Sequence, residues 1–191
     1  MKMQKEHYLK VSFPLLGDNS PGIYKFLFEC VADVFSGVGI RTVELHIERL
    51  EPLDEVYTNI YGVTRGKIRQ IFRRFASSHH LIEAPDLTAT HERASLRAKI
   101  NVSSMQEIFR DYNALFDIFF TDLQIKSDRI ALDVMDPFSN SLIAISKDKK
   151  VLEKFRGIAQ KKCKMAMKFS YIDSRLGRIK LTHIRKRGAK H

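Results

Sequence analysis

Tryptophan is absent from this 191-residue chain, and cysteine occurs only twice, as Cys30 and Cys163. Two cysteines far apart in the sequence cannot make a disulfide framework or a paired-cysteine zinc motif. Both lie in apolar patterns, so they read as buried thiols of a reducing compartment. No apolar run reaches the roughly 18–20 residues that span a bilayer. The opening Met1-Lys-Met-Gln-Lys-Glu6 is polar and leads into a strand-like pattern, so no signal peptide is read there. Glycine-rich phosphate loops are missing too. Gly37-Val-Gly39 lacks the third glycine of a dinucleotide fingerprint, and Thr64-Arg-Gly-Lys67 lacks the preceding glycine of a P-loop. A nucleophile elbow is also lacking. Repeats and low-complexity linkers are not found.

What is present is charge, and it is segregated. Residues 147–191 hold 16 Lys and Arg against Asp148, Glu153 and Asp173, whereas residues 1–146 hold 17 basic and 19 acidic groups. Self-repulsion makes such a concentration unfavourable for folding, so it points to a large anionic partner: nucleic acid, an anionic lipid surface or an acidic protein. Hydrophobic content of 44 %, with 13 Phe, is enough to build a core and excludes a disordered chain. The length fits one domain, 1–184, with a basic arm, 185–191.

Periodicity outlines the elements. Leu9, Val11 and Phe13 share one face of a strand. Ser20 and Pro21 read as N-cap and first position of a helix reaching about Phe35, which Gly37 and Gly39 stop. Val43, Leu45 and Ile47 alternate with polar residues as a half-buried strand. Residues 55–63 suggest another. Residues 65–75 fit a helix with Ile68, Ile71, Phe72 and Phe75 on one stripe. Residues 79–84 and the region of Pro85 read as a loop with a possible short strand. Residues 93–102 alternate strictly. Ser104 and Glu107 form a capping box for the next helix. Leu123–Ile125 and Ile130–Val134 read as a hairpin, and Leu142–Ile145 as a short strand. A helix is expected over 147–160. A basic hairpin follows, with Cys163, Met165, Met167, Phe169 and Tyr171 on its apolar side and a return strand over 178–184. The expected fold is α+β: a mostly antiparallel sheet with about three to four helices and a basic C-terminal hairpin and arm.

The candidate polyanion-binding residues are Lys161, Lys162, Lys164, Lys168, Arg178, Lys180, Arg185, Lys186 and Arg187. Lys164 and Lys168 are expected on one face of the hairpin with Arg178 and Lys180 or their neighbours. A second basic patch is Arg65, Lys67, Arg69, Arg73 and Arg74, which suits an interfacial helix on lipid or a core-packed helix with a solvated back. With Phe169 and Tyr171 pointing inward, stacking on exposed bases is not indicated, and backbone electrostatics fits better. His79, His80, Glu83, Asp86, His91 and Glu92 are the densest set of potential metal ligands, but their loose spacing reads as surface polarity. Pro85-Asp86 with Arg97-Ala98-Lys99 invites comparison with nucleases that pair an aspartate with a later acid–x–Lys, but an arginine stands where the metal-binding carboxylate would be. No catalytic residue, metal or cofactor is assigned, and the chain is read as non-enzymatic.

The order of elements resembles the matrix proteins of rhabdoviruses. The parts that carry the likeness are the first strand leading through Pro21 to a helix, the alternating 93–102 strand followed by a helix, and the 147–160 helix before a terminal hairpin ending in Leu181-Thr-His-Ile184. The resemblance implies a virion structural protein that binds a nucleocapsid, coats the inner face of an anionic membrane and self-associates. It implies residence in the virion, host cytoplasm or inner membrane face. Arg185-Lys-Arg187 could serve nuclear import. Pro-Pro-x-Tyr and Pro-Thr/Ser-Ala-Pro motifs are absent, while Tyr24-Lys-Phe-Leu27 and Tyr112-Asn-Ala-Leu115 match a loose Tyr-x-x-Leu pattern within expected helices. The alternative is a sequence-nonspecific nucleic-acid-binding protein.

Overall fold

A computed structural model describes residues 5–18, 20–50, 73–84, 93–116, 121–134 and 140–172. Its fold is α+β. Among the described residues eight strands form one antiparallel sheet: β1 (His7–Ser12), β2 (Thr42–Leu50), β3 (Ile82–Ala84), β4 (Arg93–Asn101), β5 (Thr121–Lys126), β6 (Ala131–Val134), β7 (Ser141–Ser146) and β8 (Lys168–Ile172). They lie in the order β3-β4-β2-β5-β6-β7-β1-β8. Helix α1 runs over 22–38, α2 over 73–78, α3 from Met105 to Phe116 and α4 from Lys149 to Cys163.

One connection is used twice. Strands β4 and β5 both pair antiparallel with β2, and α3 joins them across it. Strands β7 and β8 both pair antiparallel with β1, and α4 joins them across it. Helix α1 links the two central strands, β1 and β2. It contacts both α3 and α4, and α4 also touches β1 and β7. Strand alternation then sorts the side chains. Leu9, Val11, Val43, Leu45, Ile47, Leu123, Ile125, Leu132, Val134, Leu142 and Ala144 are buried in one core with Phe26, Phe35, Phe109 and Phe155 of the helices. The rings of Phe26 and Phe155 meet edge-on at 6.3 Å, pinning α1 to α4.

Helix α1 departs from its sequence reading at both ends. Pro21, not Ser20, occupies its N-cap and offers no side-chain acceptor. The Ser20 hydroxyl instead donates to Asp18, and that bond holds the Asp18 carboxyl below its usual range. The capping acceptor is remote. Asn140 Oδ1 accepts from the Ile23 N–H at 3.0 Å, while Asn140 Nδ2 donates to the carbonyls of Phe13 and Pro14. The Phe13 N–H closes the clasp on the Asn140 carbonyl. At the other end Gly37 does not stop the helix, which continues to Val38. A Cβ on Gly37 would lie 3.0 Å from the Ile158 side chain, so this glycine lets α1 and α4 approach. Gly39, at φ 94, supplies the left-handed residue that ends the helix.

Other boundaries move as well. Ser104 closes a 3-10 turn, Val102–Ser104, ahead of α3, and makes no capping-box bond among the described residues. Helix α4 starts at Lys149, with the Asp148 carboxylate accepting from the Lys150 N–H, and continues to Cys163 instead of ending at 160. The start of the expected 163–184 hairpin is corrected accordingly. Cys163 belongs to the helix, the strand begins at Lys168 and is described to Ile172, and it pairs with β1. The β5–β6 hairpin is present, turning at Ser127–Ile130, where the Ser127 hydroxyl accepts from the N–H groups of Arg129 and Ile130. The strand expected at 55–63, the return strand at 178–184 and the 185–191 arm lie outside the described residues.

Cys30 and Cys163 are buried, free thiols of α1 and α4 that act on each other across the seam between the two helices. A five-residue π-helical stretch, Phe26–Cys30, ends at Cys30 and faces Phe26, Leu27 and Cys30 into the core. Burial pushes both thiols up, Cys163 most strongly. A proton held more tightly in the folded state stabilises that state below the ordinary thiol pKa of about 8.5 and ceases to as pH rises past it.

These bonds set two expectations. Replacing Asn140 with Ala leaves the Ile23 N–H and two carbonyls without their partner and should cost about 2–3 kcal/mol in denaturant unfolding. Asn140→Asp, which keeps the acceptor, should lie in between. The thiols should resist iodoacetamide in the folded protein and react once it is unfolded, read by mass spectrometry. The thermal midpoint should fall from pH 8 to pH 10, and less steeply in Cys163→Ala.

Candidate polyanion-binding surface

Helix α4 buries Val151, Leu152, Phe155, Ala159 and Cys163. At 100° per residue these define one seam, and Gly157 lies directly opposite it. Lys150, Lys154 and Lys161 stand within about 60° of Gly157, at helical spacings of seven, three and four residues. All three lysines are exposed. Glu153 and Gln160 flank the crest on its other side, with Lys149 and Arg156 beyond them, also exposed.

Few of these cations are neutralised. Lys149 reaches Glu153 at 3.8 Å, and Lys162 reaches Asp33 of α1 at 3.6 Å. Both pairs are exposed and contribute little to stability. Lys147, Lys150, Lys154, Arg156, Lys161, Lys164 and Lys168 make no ion pair among the described residues. The crest also bears no large apolar side chain. The large hydrophobic residues exposed among the described ones are Leu15 and Tyr171, both off α4.

The structure distributes the sequence-derived candidates unevenly. Lys161 and Lys162 are in the last turn of α4, where cations complement the helix dipole. Lys164 ends that helix in a left-handed conformation at φ 47. Lys168 does not join them. It opposes Ser12 in the β1–β8 pairing, while its neighbour Phe169 opposes the buried Val11 and packs on the core. Alternation therefore puts Lys168 on the sheet face away from the helices. Tyr171 opposes buried Leu9 and so shares the helix-side face with Phe169, but on the outermost strand it remains 42 % exposed, with Lys149 Nζ 5.1 Å from its ring centroid. Arg178, Lys180, Arg185, Lys186 and Arg187 lie outside the described residues, as do Arg65, Lys67 and Arg69. Arg73 and Arg74 are exposed on α2, beside buried Phe75 and Ala76. Helix α2 leads to His79, whose Nε2 is 2.9 Å from Asp111 Oδ2 of α3. The described part of the second patch, Arg73 and Arg74, thus belongs to the α3 flank, and exposed Glu29 and Asp33 of α1 lie between it and α4.

Lys150 and Lys154 were missing from the sequence-derived set. The available signal was the helical wheel of 149–163, which places them with Lys161 opposite the apolar seam. Among the described residues no group of three His, Cys, Asp or Glu could hold a metal, while Asp86, His91 and Glu92 lie outside them. On the opposite sheet face, Thr42, Glu44, Arg97, Lys99, Lys126, Ser127 and Asp128 line an open groove of 670 Å³ carrying both signs of charge. No helix among the described residues is long and apolar enough to cross a membrane. No family model and no curated protein sequence matches the chain.

The weak Lys162–Asp33 pair yields a check on the electrostatics. Asp33→Asn should change unfolding free energy by less than about 1 kcal/mol. By removing the carboxylate that faces Lys162 it should strengthen binding of any polyanion there, measured at low salt.

Proposed function

We propose that the protein binds nucleic acid non-enzymatically through its phosphate backbone and without sequence readout, using the outer face of α4. The observation that carries this reading is the crest itself. Lys150, Lys154 and Lys161 project from one rigid helix, without ion-pair partners among the described residues, and no apolar side chain lies among them. Unpaired lysines on a fixed scaffold displace the counterions condensed on the phosphates, and the gain is entropic and sequence-independent. Base-specific recognition needs donors and acceptors shaped to groove edges, or aromatic platforms for single strands. The crest offers neither.

A second reading uses the same face. A viral matrix-type protein that self-associates between nucleocapsid and membrane would set these lysines against anionic headgroups, each contributing about 1 kcal/mol. Interfacial helices add Trp, Phe or Leu that enter the acyl boundary. Helix α4 presents none outward, which favours nucleic acid.

Replacing Lys150, Lys154 and Lys161 together with Gln should leave the fold intact. It should lower the dependence of log K on log salt by about three, because each neutralised phosphate adds roughly 0.9 to the slope. Fluorescence anisotropy with labelled duplex DNA and RNA between about 50 and 200 mM salt reads the slope. An unchanged slope would remove this face from the interaction. Cosedimentation with phosphatidylserine vesicles, with no binding to either duplex, would transfer the proposal to the membrane reading.

A further inference from the structure

Gly157 has no evident reason to be glycine. It is interior to α4, is not near either cap, and has an ordinary negative φ. A Cβ built on it meets no atom within 4 Å. This contrasts with Gly37, which faces the Ile158 side chain at 3.0 Å, and with Gly39, which needs a left-handed backbone. A helix-interior glycine is about 1 kcal/mol less favourable than alanine. Position 157 therefore weakens α4 with no compensating contact inside the described molecule. It is also the residue farthest from the buried seam, with Lys150, Lys154 and Lys161 to one side of it around the helix and Glu153 and Gln160 to the other.

We infer that Gly157 is the seat of the ligand: a strand of the sugar–phosphate backbone of a double-stranded nucleic acid lies against the α4 main chain there. The missing side chain leaves a shallow saddle on the crest. Lys150 and Lys154 rise on the N-terminal side of it and Lys161 on the C-terminal side, all along one flank, while Glu153 on the other flank is paired with Lys149 at 3.8 Å, so a phosphate seated at Gly157 leans toward the lysine flank. Close approach strengthens each interaction, because charge interactions grow as separation and local water decrease. Lysines on long flexible stems can meet phosphates without a glycine, but they then hold the backbone at arm's length. The inference rests on the proposed nucleic-acid role of α4 and adds to it the point of closest approach. A duplex is specified because the crest has no exposed aromatic residue on which unpaired bases would stack.

The test separates the seat from the charge. Gly157→Ala and Gly157→Leu leave net charge unchanged and point into open space, so both should fold. Gly157→Ala should raise the thermal midpoint, because alanine is the better helix former. With a short labelled mixed-sequence DNA duplex at low salt, Gly157→Ala should bind more weakly than the unmodified protein. Gly157→Leu should be weaker by roughly tenfold or more. The Lys150/Lys154/Lys161→Gln variant is measured alongside. If Gly157→Leu binds as tightly as the unmodified protein while the triple-lysine variant is impaired, the seat is wrong and the charged face survives. If both bind normally, the nucleic-acid role of α4 falls as well. A lower midpoint for Gly157→Ala would overturn the premise that glycine there is unfavourable for folding.

Discussion

Val151, Leu152, Phe155, Ala159 and Cys163 hold α4 at a single rotation against the sheet and α1, and everything on its outer face follows from that. A shift of one residue would swing the helix by 100° and bring lysines toward hydrocarbon. Burying an uncompensated ammonium is far more unfavourable than burying any of these apolar groups is favourable. The core therefore selects the arrangement in which every lysine on the helix faces water. The edge-on packing of Phe155 with Phe26, the Gly37–Ile158 approach and the buried thiols Cys30 and Cys163 lie along the same seam. What looks like a surface property is a consequence of interior packing.

Charge on this molecule is arranged by helix. Helix α4 is densely cationic outward, α1 exposes Glu29 and Asp33, and α2 exposes Arg73 and Arg74 near α3. A polyanion lying across the helical layer would thus meet attraction, then repulsion, then attraction. Binding along α4 avoids the carboxylates of α1. The opposite face of the sheet mixes Glu44 and Asp128 with Arg97, Lys99 and Lys126, so it offers no comparable concentration of one sign.

Much of the fold was legible because its strands are half-buried. The alternation over 42–50 and 93–101 reports directly on a sheet with one face in the core. The end of α4 was misread because two periods coincide there. Cys163 follows Ala159 by one helical turn, yet it also begins the alternation Cys163, Met165, Met167, Phe169, Tyr171. Hydrogen bonding decided for the helix, and Lys164 ends it in a left-handed turn. Asn140 as the cap of α1, and Cys163 as the neighbour of Cys30, carry no local signal, because each depends on a partner brought close only by the tertiary fold. Of the candidate surface, the excess of positive charge was evident in composition. The grouping of Lys150, Lys154 and Lys161 required the phase of the helix, and the separation of Lys168 from Lys161 required the strand pairing.

Strand β1 has β7 and β8 as its two neighbours, and the clasp at Asn140 lies 117 residues from Ile23. During synthesis β1 leaves the ribosome long before either neighbour exists. Its apolar side chains, and those of α1 behind it, must wait unpaired while most of the sheet is made. Pairings of such long sequence separation slow folding and leave strand edges exposed to other chains. Closure of this sheet is therefore a late event in the life of the nascent chain, and the cationic helix between β7 and β8 comes to rest in the same step.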